Sequence, residues 1–276
     1  MKRLLVAAAF LASCAALEAA AIRPGIVTSN PGSLAANDDG STIPAILLNI
    51  DGAGGINFFG STATSVFVNN NGNVTFQNAL SQFTPNGLSA GVGMPIIAPF
   101  FADVDTRAGS ILNYGNGTVN GRAAFVVNYP TVGYFSVHVN KLNSFQLILI
   151  DRSDTGAGNF DIEFNYDQIQ WETGDASGGS NGLGGTPAAA GFSNGLSGAA
   201  NQFFQLPGSL TSGALLDGGP NSLIAGSLNS GVAGRYDFSV RNGQVLNNVP
   251  EPASIGLFGM GFAALGVLKL RRRKAA

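Results

Sequence analysis

Between Phe160 and Asp167 apolar and polar side chains alternate without a break. Phe160, Ile162, Phe164 and Tyr166 fall on one parity, and Asp161, Glu163, Asn165 and Asp167 on the other. A period of two belongs to an extended strand with one face on a core. Ile169 and Trp171 then sit on the opposite parity, which predicts a bulge near Asp167 and Gln168. No stretch between Ile22 and Val249 sustains a helical period, although Leu210–Leu216 has the composition of one short helix. Phe145–Ile150 is apolar on both faces and reads as a central strand. Ile96–Phe101 reads the same way, with Pro99 calling for an edge position or a bulge.

Turn chemistry punctuates these runs. Asn71-Gly72 lies between Val66-Phe67-Val68 and Val74-Thr75-Phe76, and suits the two positive φ angles of a type I′ hairpin. Asn-Gly recurs at Asn86, Asn116, Asn120, Asn181, Asn194 and Asn242. Gly174–Gly195 is a glycine-rich, low-charge stretch expected to be a surface loop. Phe192, Phe203–Leu206 and Arg235–Arg241 read as closing strands of the same unit. The expected architecture is all-β: a β-sandwich with long glycine-rich loops over residues 22–248.

Charge narrows the function. Residues 22–249 hold seven basic against fourteen acidic side chains, a formal −7, while the remaining basic residues cluster at the two ends. An acidic body repels phosphate backbones, so nucleic acid is excluded as a partner. One histidine and one cysteine leave too few ligands for zinc, haem or iron–sulfur sites. No cofactor is expected.

Both ends read as addresses. Met1-Lys2-Arg3, the apolar run Leu4–Ala12 and Ala19-Ala20-Ala21 form a signal peptide over residues 1–21, with cleavage by signal peptidase near Ala21. Leu11-Ala12-Ser13-Cys14 leaves open a lipobox, in which Cys14 would be lipidated. At the other end Pro250-Glu251-Pro252 precedes an apolar run, Ile255–Leu268, and the cluster Arg271-Arg272-Arg273-Lys274. As a helix that run measures about 21 Å against roughly 30 Å of hydrocarbon, so it would need tilt or local thinning to span. Basic residues behind it would hold the terminus in the cytoplasm. This arrangement over residues 249–276 resembles the PEP-CTERM sorting signal of exopolysaccharide-producing Gram-negative bacteria. The resemblance implies recognition by an exosortase, a membrane cysteine transpeptidase. It also implies a short transmembrane helix, transient anchoring in the inner membrane, and removal of the tail. A plain C-terminal anchor is the alternative.

The body also resembles a known family. Phe58-Phe59-Gly60, Val66–Phe76, Ile97–Arg107 and Phe164–Gly174 look like the nidogen-like (NIDO) extracellular domain, in that family's order, over residues 57–195. The resemblance implies a non-catalytic module of cell–matrix adhesion. The cysteine-rich modules that accompany the domain in animal proteins are not found in this sequence, so the resemblance implies no particular animal partner.

Four sets of side chains carry possible chemistry. Asp103, Asp105 and Arg107 share a strand parity. The two carboxylates are candidate calcium ligands, with Asn37, Asp38 or Asp39 able to supply further oxygens. The competing reading is an ion pair with Arg107, and a simple turn at Asn37–Ser41. Gly87-Leu88-Ser89-Ala90-Gly91 matches G-x-S-x-G, with Asp103 and His138 following in hydrolase order, but a nucleophile elbow needs a strand before the serine and a helix after it. Asp161, Glu163 and Asp167 have the spacing of a glycosidase pair, or of a solvated polar face. Tyr114, Tyr129 and Tyr134, if exposed, could stack on sugar rings. The leading expectation is an exported, surface-sorted protein without catalysis, acting on extracellular matrix or polysaccharide. A calcium-assisted carbohydrate-binding module and a secreted serine hydrolase are the alternatives.

Overall fold

Two antiparallel sheets carry the fold in the computed structural model, which describes residues 21–50 and 54–246. The larger sheet runs Val27–Ser33, Asn113–Val119, Arg122–Tyr134, His138–Asp151, Phe160–Ile169, Arg235–Arg241 and Gln244–Leu246, and Val104–Asp105 pairs with the end of Arg122–Tyr134. The second runs Phe203–Gln205, Ala189–Ser193, Ile96–Phe101, Asn73–Thr75, Ser65–Asn69 and Ile46–Leu47. Period-two alternation sends Phe125, Val127 and Tyr129, Phe145, Leu147 and Leu149, and Phe160, Ile162, Phe164 and Tyr166 to one face. They form a single buried cluster with Val68, Val74, Ile97, Phe100 and Phe192 of the second sheet. Aromatic pairs bridge the layers, Phe100 to Phe145 at 5.4 Å and Phe192 to Phe238 at 5.1 Å between ring centroids. The all-β sandwich expected from the alternation is the observed architecture.

The outer face of the larger sheet is not left to water. Val126, Ile148 and Ile150 form a second apolar cluster covered by Ile26 and Val27, which is why Phe145–Ile150 is apolar on both parities. The N-terminal strip continues across the polar parity of Phe160–Ile169. The Arg23 backbone N–H donates to Gln146 Oε1 (3.1 Å) and its carbonyl accepts from Gln146 Nε2 (3.0 Å). Its guanidinium clasps Glu163 at 2.6 and 2.8 Å. Arg235 donates to the Ala21 carbonyl at 2.8 Å. Glu163 and Asn165 are therefore buried, which corrects the expectation of a solvated polar face at Glu163, whereas Asp167 is exposed as expected. The strand pattern was right, but a distant segment covers it.

Local irregularities follow the residues. Ser144 pairs with Gln168 and Phe145 with Tyr166, leaving Asp167 as the extra residue of the expected bulge. Pro99 lies in an interior strand. The partner register slips between Ala189 opposite Phe101 and Gly191 opposite Ala98, so a bulge, not an edge, absorbs the missing donor. The Val66–Phe76 hairpin forms, but through a three-residue loop, Asn70-Asn71-Gly72, closed by the Asn69–Asn73 pair. Only Gly72 has positive φ there, so the type I′ assignment is corrected. A Cβ on Gly72 would meet the Phe100 carbonyl oxygen at 1.7 Å, so the tip packs backbone against backbone. Type I′ turns occur instead at Asn120-Gly121, Asn181-Gly182 and Asn242-Gly243, where both residues have positive φ between paired strands. Asn116-Gly117 lies inside a strand, not in a turn.

Two further expectations change. Leu210–Leu216 forms turns rather than a helix. Glu172 accepts the backbone N–H groups of Gly213 (2.5 Å) and Leu215 (2.7 Å), which holds this stretch outside a helical ladder. Gly174–Gly195 is a surface loop only in part, since it contains the small hairpin Gly179–Ser180 with Leu183–Gly184 and then the buried interior strand Ala189–Ser193. Small residues suit that strand because a Cβ on Gly191 would meet the Phe204 carbonyl oxygen at 2.1 Å.

Candidate functional site

One end of the sandwich gathers polar side chains from three segments, the Asn37–Gly40 turn, the Asn70–Asn71 hairpin tip and the Asp103–Arg107 stretch. Asn37 Oδ1 accepts the N–H of Gly40 at 2.6 Å, the self-bonded turn expected of Asn37–Ser41. That turn presents Asp38 and Asp39 side by side. The hairpin tip clamps it. Asn70 Nδ2 donates to the Asp38 carbonyl and, at 2.5 Å, to the Val104 carbonyl. Asn71 Nδ2 donates to Asp39 Oδ1 at 2.8 Å, and Asn71 Oδ1 accepts the N–H of Val104 at 3.1 Å. Thr106 exchanges hydrogen bonds with the backbone of Asn37, accepting from its N–H at 3.0 Å and donating to its carbonyl at 2.9 Å. Asn70 and Asn71 are buried, so their amides act as fixed struts between the turn and the Val104 strand.

Asp103 projects from the same segment into this frame. One carboxylate oxygen from each of Asp38, Asp39 and Asp103 lies within 4.8 Å of the others. Asp103 is 2% exposed, and its Oδ2 is buried with no hydrogen-bond donor, as is Oδ1 of Asp38. Burial first, then the charges of Asp38, Asp39 and Asp105, raises the Asp103 carboxyl to about 7. Burial and the neighbouring Asp39 and Asp105 raise Asp38 to about 6, against the pull of Arg107. Gly174 lies against this carboxylate, since a Cβ there would stand 2.5 Å from Asp103 Oδ2.

The structure separates the two aspartates that the sequence groups together. Asp105 takes the Arg107 guanidinium at 2.9 and 2.5 Å and accepts the N–H groups of Arg107 (3.0 Å) and Val137 (2.8 Å). Burial opposes its charge, yet those bonds hold it below the ordinary carboxylate range. Asp105 is thus the structural ion pair, while Asp103 faces Asp38 and Asp39. Arg107 also reaches Asp38 at 3.3 Å and lies over the Phe135 ring at 5.6 Å.

Beside this frame a shallow cleft of about 470 Å³ is lined by Tyr134, Val137, His138, Asn140, Asp175 and Asn181, among others. His138 Nε2 and Asp175 Oδ2 are 2.8 Å apart, and both side chains are partly exposed. Ser89 sits on the short 3-10 turn Leu88–Ala90, and its carbonyl accepts from Asn201 at 2.7 Å. No strand–serine–helix elbow is built there. No hydrogen bond links Ser89, Asp103 and His138 in any pair, so the three hydrolase residues are not assembled. Of the glycosidase spacing, Asp161 and Glu163 line one cavity, but arginines engage both. Glu163 is held by Arg23, and Asp161 by Arg152 at 2.7 Å and Arg241 at 2.7 Å. Tyr129 and Tyr134 are fully buried. Tyr129 OH donates to the Asn69 carbonyl at 2.9 Å, so these rings serve the core rather than a sugar platform. The struts Asn70 and Asn71 escaped the sequence reading, which treated them as turn residues. Two successive asparagines beside a turn were the available signal.

Ala21, the expected cleavage point, is buried under Arg235. Pro250, Glu251, Pro252, Arg271, Arg272 and Arg273 lie outside the described residues, as do the expected signal peptide through residue 20 and the apolar run 255–268. Among the described residues no helix is long and apolar enough to cross a membrane.

Comparison with known proteins gives the same picture from outside. The nidogen-like domain matches residues 64–120 and 111–242. The PEP-CTERM protein-sorting motif matches residues 248–274. Alpha-tectorin of Gallus gallus is 31% identical over 227 residues, 73% of this chain and 10% of that protein. Alpha-tectorin of Homo sapiens is 35% identical over 208 residues, 66% of this chain and 9% of that protein. The chain therefore spans about a tenth of the length of these curated relatives. No solved structure matches.

Proposed function

Because the chain belongs to the nidogen-like domain family and ends in a PEP-CTERM protein-sorting motif, we propose that it is a non-catalytic component of the extracellular matrix or polysaccharide layer, acting by adhesion. It is an exported protein of the cell surface or extracellular space. The observation that carries the adhesive reading is the union, in one chain, of a matrix-type module with a signal for exosortase sorting. The loop-rich end around Asp38, Asp103 and His138, with its polar side chains and shallow cleft, is the surface through which it engages a partner. Before release, the basic tail at Arg271–Arg273 positions the Pro250-Glu251-Pro252 segment for the exosortase at the inner membrane.

Mass spectrometry of the endogenous protein, reading both ends, tests the sorting. The mature protein is expected to begin near Ala21 and to lack Arg271–Lys274. An extracellular protein that keeps that basic tail overturns the processing. The adhesive role is tested by deleting the gene and measuring cell attachment and retention of the polysaccharide layer. Unchanged attachment and retention would count against it.

A further inference from the structure

We propose that Asp38, Asp39 and Asp103 form a calcium-binding site that pins the Asn37–Gly40 turn to the Ala102–Thr106 segment. Once ionised, three carboxylates with oxygens within 4.8 Å of one another repel strongly unless a cation sits among them. The cluster alone would be ordinary on an exposed surface, but this one is not exposed. Asp103 is 98% buried, with Oδ2 given no donor, and Oδ1 of Asp38 is likewise buried and unpaired. A buried carboxylate oxygen without a donor or counter-charge costs free energy that a native fold avoids, and a metal ion supplies the missing partner. The local cation does not fill that role, because Arg107 spends its guanidinium on Asp105 at 2.5 Å and approaches only the other oxygen of Asp38, Oδ2, at 3.3 Å.

The donor set selects the ion. All three ligands are hard oxygens, and no histidine or cysteine lies in the group, which disfavours zinc and copper. Calcium takes six to eight oxygens in flexible geometry, so an irregular turn can complete its shell with carbonyls and water. Magnesium demands near-ideal octahedral geometry, which side chains from a turn and a separate strand segment suit less well. The frame is held independently of the ion. Asn70 grips the backbone of Asp38, and Asn71 holds one oxygen of Asp39, so the turn is positioned before a cation arrives. This site rests on its own geometry and stands whether or not the protein is sorted to a matrix.

Calorimetric titration of the metal-stripped, full-length protein with calcium chloride tests the proposal, alongside thermal unfolding with calcium or EDTA. Binding of one ion is expected with a Kd on the order of 10⁻⁴–10⁻³ M, the range of extracellular calcium modules. Tm is expected to be higher in calcium than in EDTA. Asp103→Asn should weaken binding about tenfold or more, a change of about 1.4 kcal/mol or above. It should also raise Tm in EDTA, because it removes a buried charge, so loss of binding cannot be ascribed to failure to fold. Asp105→Asn, at the structural ion pair, should lower Tm with and without calcium yet preserve the calcium-induced rise. No bound ion at about 10 mM calcium, ten times the weak end of that range, overturns the site. An undiminished calcium response in Asp103→Asn overturns the assignment of the ligand, and equal affinity for magnesium overturns the choice of ion.

Discussion

Asp237 shows how a single side chain can tie this fold to pH. It faces Glu163 directly across the paired strands, and its Oδ1 is buried without a partner. Burial, then the Glu163 charge, raises its carboxyl to about 7 against the pull of Arg235 and Arg23, with Asp161 adding to the rise. The folded state thus holds this proton more tightly than the unfolded chain, whose ordinary value is 3.8. The resulting stability is fully present below about pH 4 and is lost as pH rises through about 7. Asp237→Asn removes that loss. Urea unfolding should show the variant gaining about 1–3 kcal/mol over the natural protein between pH 5 and pH 8. A constant difference across that range would show that Asp237 does not titrate as described. Neither the burial of Asp237 nor its facing of Glu163 is legible in the string, where Asp237 reads as a polar position on an alternating strand. Both arise from strand register.

The N-terminal strip is the element whose role the sequence hides best. Residues 22–27 carry no strong pattern, yet they cover an apolar cluster and bring Arg23 onto Glu163. Arg23→Ala leaves a nearly buried carboxylate with Arg235 at 3.5 Å as its remaining cation. The variant should lose about 1.5–3 kcal/mol, the range for a hydrogen bond to a charged group, measured by urea unfolding at pH 7. It should also expose the strip to proteolysis ahead of the sheets. A loss below about 0.5 kcal/mol would mean the strip contributes like an ordinary surface segment. Other elements were legible. Alternation gave Phe160–Ile169, two-sided hydrophobicity gave the central strand ending at Asp151, and the parity change gave the bulge at Asp167. The Asn-Gly signal was legible but ambiguous. The same dipeptide makes a two-residue turn at Asn120, ends a three-residue loop at Asn71 and continues a strand at Asn116. Strand register, not the dipeptide, selects among these.

The charge of the body acts across both layers at once. Fourteen acidic against seven basic side chains between residues 22 and 249 repel one another more when the chain is compact than when it is extended. Raising monovalent salt from about 0.01 to about 0.1 M shortens the screening distance from about 30 to about 10 Å. Tm should therefore rise over that interval at pH 8. A fall would indicate that screened ion pairs such as Arg122–Asp154, at 2.7 Å, outweigh the net repulsion. The same charge suits a cation-binding end, since repulsion among the acids strengthens as pH rises and a divalent ion relieves it locally.

Period and turn chemistry were enough to give the all-β class and strands such as Phe160–Ile169, because they are local and repeat along the backbone. The sorting motif was legible for a similar reason: its three parts are contiguous. Which carboxylates meet was not local. Asp103 and Asp105 share a parity, but Arg107 and the Val137 N–H draw one away, and a turn some sixty residues upstream brings Asp38 and Asp39 to the other. Such meetings depend on how two sheets stack and on which distant backbone groups satisfy a buried asparagine. Those conditions exist only once the chain has closed on itself.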